Sequence, residues 1–147
     1  MDLLKLVSPI IIVVYLCLGF VPNLDAVDKI APQWLGMTLL NFVSLFVLIY
    51  KRKSIKGNIT NVLTPYISIF YLGFIFWAGL SYFYAINNTE VLVNLTRQVN
   101  VLLMYLFMGI FLSYVNKRIF FISWVLTIIL SIEIYYVLDQ VIDLINT

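Results

Sequence analysis

The sequence predicts an all-α integral membrane protein with about five transmembrane helices, a cytoplasmic amino terminus, and a short outward interfacial helix before the fourth span. Three observations predict it. Of the 147 residues, 63% are hydrophobic and 11% charged, whereas soluble domains run at about 45–50% apolar and about 25% charged. The mean hydropathy of +1.05 leaves too few polar residues to clothe the surface that a soluble chain of this size keeps in water. The apolar residues also fall in runs close to the ~20 residues that carry a helix across ~30 Å of hydrocarbon. Within those runs, Ile10-Ile11-Ile12-Val13-Val14 and Leu126-Thr127-Ile128-Ile129-Leu130 lack the alternation that strands of a membrane barrel require.

The first span covers residues 3–21. Its apolar run, Leu6 to Val21, is longer than the core of a secretory signal, Lys5 is its only leading cation, and no small-x-small cleavage site follows, so it reads as a retained helix. Pro9 removes one backbone donor and predicts a bend there. The second span covers 34–50, the third 65–85, the fourth 99–115 and the fifth 119–138. Tyr66, Tyr71, Trp77, Tyr82 and Tyr84 lie along the third, as headgroup-level anchors or, for Tyr82 and Tyr84, as a carbohydrate platform.

Orientation follows from the short loops. Lys51, Arg52, Lys53 and Lys56 share one loop without an acid, and Lys117 and Arg118 share the next turn on that side, which places both in the cytoplasm. Loop 22–33, with Asp25, Asp28 and Lys29, and segment 86–98, with Glu90 and Arg97, then face outward. The carboxyl terminus, with Asp139 and Asp143, lies outside as well. No repeat or linker divides the chain, so 1–147 reads as a single helical transmembrane unit. Its apolar tail, 141–147, ends without a cap or polar stop and reads as the front part of a longer polytopic protein.

The chain has no histidine and a single cysteine, Cys17. These absences exclude His-based zinc sites, Ser-His-Asp and Cys-His catalysis, and an internal disulfide. The net charge of +2 is too small to suggest nucleic acid. The sequence assigns no cofactor, no metal and no catalytic residue, and the partners it implies first are membrane lipids.

Segment 86–98 carries the most information. In Asn87-Asn88-Thr89-Glu90 a capping side chain stands three residues ahead of an acid, which predicts a helix start near Asn88. Val91, Leu92, Leu95 and Val99 then recur at helical spacing, while Glu90, Asn94 and Arg97 form a polar stripe. This is the interfacial helix leading into the fourth span. The planar donor fork of Arg97 matches a phosphate oxygen pair, and low-dielectric lipid strengthens that attraction. A lipid-linked diphosphate is therefore a candidate ligand, with Arg97, Asn94 and Glu90 as its binding residues. The competing reading has Arg97 snorkelling to headgroups or pairing with Glu90 two turns earlier. Glu90 could act as a base or serve only as a helix cap.

The stretch Leu80-Ser81-Tyr82-Phe83-Tyr84-Ala85-Ile86-Asn87-Asn88-Thr89-Glu90-Val91-Leu92-Val93-Asn94-Leu95-Thr96-Arg97 resembles a segment of the O-antigen ligase and polymerase superfamily. In that segment a Ser precedes A-x-N-x-x-E, and a helix bearing an Arg follows. The entry into the second span, Asp28-Lys29-Ile30-Ala31-Pro32-Gln33-Trp34-Leu35 followed by Asn41, is similar to the matching region of some members. The resemblance implies the amino-terminal region of a glycosyltransferase of lipopolysaccharide biosynthesis in the bacterial inner membrane. Such enzymes move a glycan from undecaprenyl diphosphate to lipid A core, another repeat, or a protein hydroxyl. The family's key basic residues lie in a large periplasmic loop, and the ligases use a His there. This chain has neither, so the resemblance implies no activity without the remaining helices. The alternative is a complete small membrane protein without catalysis, acting as a scaffold, assembly partner or transporter subunit.

Glu133 lies within the fifth span, where a carboxylate costs about 2.5–3.5 kcal/mol at mid-membrane. It reads either as a functional group or as a site near the interface bonded to a Tyr or Asn. Asn41, Ser44, Gly73 and Gly79 read as helix-packing contacts.

Overall fold

A computed structural model describes residues 3–21, 30–52, 55 and 61–146. Among them every regular element is helical. The chain divides into two compact units, Met1–Tyr114 and Val115–Thr147. The acidic residues Asp25 and Asp28, the cations Lys29, Lys53 and Lys56, and the side chain of Asp143 lie outside the described residues.

In the first unit, α1 (Leu3–Leu16) tightens into a 3₁₀ turn, Cys17–Phe20. Then come α2 (Ala31–Tyr50), α3 (Tyr66–Leu80) and α4 (Asn88–Leu112). The second unit is α5 (Arg118–Asn146). Four helical stretches are long and apolar enough to cross a membrane: Ala31–Tyr50, Tyr66–Phe83, Asn88–Leu112 and Arg118–Asp139. The first expected span falls short of the others as an α-helix, because its 14 α-helical residues rise only about 21 Å. Two residues explain the early end. Gly19 has low helix propensity, and Pro22 disfavours α conformation at the residue before it; Val21 is extended, with φ −63° and ψ 122°. Pro9 is carried within α1, where the Ser8 hydroxyl donates to the Leu4 carbonyl.

The helix expected to start near Asn88 and lead into the fourth span runs into that span without a break. Asn88–Leu112 is one continuous helix of 25 residues, about 37 Å long, so segment 86–98 and the fourth span belong to a single rod. No Gly or Pro interrupts residues 88–108, which removes the usual causes of a break. The start falls where the cap predicts it. Asn87, extended at φ −120° and ψ 90°, accepts from the Glu90 N–H at 3.3 Å.

Helix α4 is the hub of the first unit and packs against α1, α2 and α3. Leu4, Ser8, Ile11, Ile12 and Tyr15 of α1 are buried at spacings of three and four, one face of a helix. On α4 the buried residues are Leu102, Phe107, Ile110 and Phe111. Large apolar side chains elsewhere point outward, including Leu35, Leu39, Phe42 and Phe46 along α2 and Phe70, Phe74 and Trp77 along α3. Apolar faces this extensive are stable only where the surroundings are themselves apolar. In the second unit, Lys117 adopts a left-handed φ of 50°, and its carbonyl accepts from the Phe121 N–H at 3.0 Å to open α5.

The glycines sort differently from expectation. A Cβ at Gly73 would meet nothing within 4 Å, and one at Gly79 would only touch Leu95 at 4.0 Å. Close approach occurs instead at Gly109, where an added Cβ would stand 2.8 and 3.0 Å from the two methyls of Val62. A branched side chain has little room to swing away. Gly109→Ala is expected to lower stability by about 1–3 kcal/mol, while Gly73→Ala stays within about 0.5 kcal/mol of the parent. Unfolding in mixed detergent micelles reads both, and equal stability of the two variants would refute the Val62 contact.

Candidate functional site

Helices α2 and α4 run parallel, and their seam holds the polar side chains of the first unit in register. Buried Asn41 sits at its centre. Its Oδ1 accepts from the Tyr15 hydroxyl of α1 at 2.7 Å. Its Nδ2 donates to the Asn100 backbone carbonyl at 3.0 Å and also to the Asn100 side-chain Oδ1. The Tyr15 hydroxyl also lies 3.0 Å from Ser44 Oγ. Asn100 Nδ2 donates to Thr38 Oγ1 at 2.8 Å, and the Thr38 hydroxyl donates to the Trp34 carbonyl at 2.8 Å. Each amide is thereby matched by polar groups on a neighbouring helix, as a low-dielectric interior demands.

One turn toward the amino-terminal end of both helices, Arg97 lies over Trp34, with its guanidinium carbon 5.5 Å from the ring centroid. This is cation–π geometry. The spacing explains the meeting. Trp34 precedes Thr38 by four residues and Arg97 precedes Asn100 by three, so the Thr38–Asn100 hydrogen bond fixes the register that stacks the next pair. On the carboxyl-terminal side of that hydrogen bond, a cavity of about 250 Å³ opens between the helices, with Thr38, Asn41, Asn100, Phe42 and Leu103 among its walls.

The residues singled out from sequence are placed as follows. Glu90, Asn94 and Arg97 share one stripe of α4, at steps of four and three residues. Glu90 and Asn94 are exposed and Arg97 is half-buried. Glu90 stands in the first turn of the helix, where an acid complements the macrodipole. With its amide oriented to donate, Asn88 reaches the Ala85 and Tyr82 carbonyls at 2.9 and 3.2 Å, tying the Ser81–Ala85 stretch to the start of α4. Glu133 is exposed on α5, in the second unit. Asn41 and Ser44 are packing residues, as expected, and both are buried. Tyr71 is not simply an anchor: its hydroxyl donates to Gln98 Oε1 at 2.8 Å. A second polar contact between α3 and α4 joins Ser68 Oγ and the Tyr105 hydroxyl at 3.1 Å.

Sequence reasoning missed Tyr15, Trp34, Thr38 and Asn100 as members of the site. A signal was there to find. Asn100 stands alone among Val99, Val101, Leu102 and Leu103, and an amide in an apolar run needs a partner on another helix.

Chemically, the arrangement offers a fixed cation on an aromatic face, close to the start of α2, whose first N–H groups favour an anion. It can hold an anionic group. No protein-family model, curated protein or solved structure matches this chain.

Proposed function

We propose that this chain forms the amino-terminal membrane region of an O-antigen ligase-like glycosyltransferase in a bacterial inner membrane. In this reading five spans cross the bilayer with the amino terminus cytoplasmic, and the starts of α2 and α4 face outward. Arg97 holds the diphosphate of an undecaprenyl-linked glycan, with Asn94 and Glu90 on the same stripe beside it. The observation that carries the reading is the Arg97–Trp34 stack, in which a half-buried guanidinium on the helix that begins at the Asn87 cap is held over an indole of α2. Transfer from a diphosphate builds charge on the leaving oxygens, and a pre-positioned guanidinium meets that demand. The acceptor hydroxyl also needs a base. In this reading the remaining helices of the full-length protein supply that base.

Deleting the encoding gene tests the reading in the cell that carries it. The expected result is loss of long surface glycan together with accumulation of undecaprenyl diphosphate-linked glycan. An unaltered glycan profile with no accumulated carrier would refute it.

A further inference from the structure

Toward the opposite ends of α2 and α4 from Trp34 and Arg97, a second chamber of about 300 Å³ lies between them, sharing Leu45 and Phe107 with the first, a volume at the lower bound of small-molecule pockets. Leu48, Ile55 and Ile110 form its buried walls, each 8% exposed or less. Leu45 and Ile49 form its rim and are 41% and 57% exposed, so the chamber opens sideways, on the flank of the helices. Among the described residues, Arg52 is the single polar one lining it.

This composition selects an occupant. Apart from the guanidinium, the described walls are aliphatic or aromatic, so a peptide or sugar against them would lose its hydration without replacement. A hydrocarbon chain loses nothing, and the guanidinium fork matches a phosphate at its end. An anionic phospholipid joins both features in one molecule, and the sequence stretch 51–56, with Lys51, Arg52, Lys53 and Lys56 and no acid, favours a net negative headgroup over a zwitterionic one. We propose that this chamber binds an acyl chain of an anionic phospholipid from the leaflet on the Lys51 side, with the lipid phosphate on Arg52. The inference rests on the membrane placement of the proposed function, and not on glycosyl transfer.

The test uses the full chain in vesicles of equal phosphatidylglycerol and phosphatidylethanolamine, extracted in mild detergent, with the retained lipid measured by mass spectrometry. Phosphatidylglycerol is expected to be enriched over phosphatidylethanolamine. Arg52→Gln should reduce the enrichment about five-fold, the worth of one cation at an anionic leaflet. Arg52→Lys should keep most of it. Lys51→Gln should reduce it less than Arg52→Gln does, since Lys51 lies over the Tyr50 ring at 5.3 Å and does not line the chamber. Ile49→Trp, which fills the rim without touching a charge, should also release the lipid and serves if Arg52→Gln folds poorly. Undiminished enrichment in Arg52→Gln or in Ile49→Trp, or an equal loss in Lys51→Gln, overturns the site. Intact lipid retention beside an unaltered cellular glycan profile would remove the glycosyltransferase reading and leave this site standing.

Discussion

Asn41→Leu is expected to destabilise the first unit by about 2 kcal/mol, measured by unfolding in mixed micelles. Three hydrogen bonds to two other helices converge on this amide. Individual interhelical hydrogen bonds in membranes average about 0.6 kcal/mol, and a buried polar atom left without a partner costs about 1–3 kcal/mol. The loss falls unevenly. Tyr15 keeps Ser44, whereas the Asn100 side-chain oxygen loses the donor from Asn41. Asn100→Leu added to Asn41→Leu should therefore recover part of the stability, because the orphaned oxygen goes with it. Strict additivity of the two substitutions would show that the amides do not act as a pair. Asn41→Asp should be worse than Asn41→Leu, since it puts a carboxylate among groups that include no cation.

Under the proposed function, Arg97→Ala in the full-length protein is expected to lower glycan transfer about a hundred-fold in membranes supplied with undecaprenyl diphosphate-linked donor, the range found when one pre-positioned donor is removed from an anion-stabilising site. Membrane insertion and protein level should not change, because the hydrogen bonds that join Tyr15, Asn41, Asn100 and Thr38 do not include Arg97. Arg97→Lys should retain only part of the activity, since an ammonium lacks the planar fork and stacks less well on an indole. Trp34→Leu leaves the guanidinium in place without its platform and should cost about ten-fold. Undiminished transfer in Arg97→Ala would take this residue out of the site.

Particular elements show what could be foreseen. The start of α4 was legible because a local rule governs it, a side chain at Asn87 able to satisfy the Glu90 N–H, whereas α2 starts at Ala31, three residues before the expected span, with Pro32 in its first turn. The join between 86–98 and the fourth span was not legible. A hydropathy window ends a span at the first charge, whereas backbone hydrogen bonding continues through Arg97 wherever nothing interrupts it. The early end of α1 was readable in Gly19 and Pro22, yet the apolar run through Val21 outweighed them. Gly73 looked like a contact because small residues favour close packing, but small size says nothing about which face meets a neighbour.

The sequence by itself determined that the chain is helical and apolar enough for lipid, that a helix opens at Asn88, and that Glu90, Asn94 and Arg97 share a stripe. These follow from composition, capping and the 3.6-residue period, which are properties of one segment at a time. Only the tertiary structure decided that Asn41 binds Tyr15 and Asn100, that Arg97 lies on Trp34, and that Gly109 is in closer contact than Gly73 or Gly79. Apolar helices pack against one another with little energetic preference for a given pairing or rotation, so the few polar atoms that must find each other across helices settle the register.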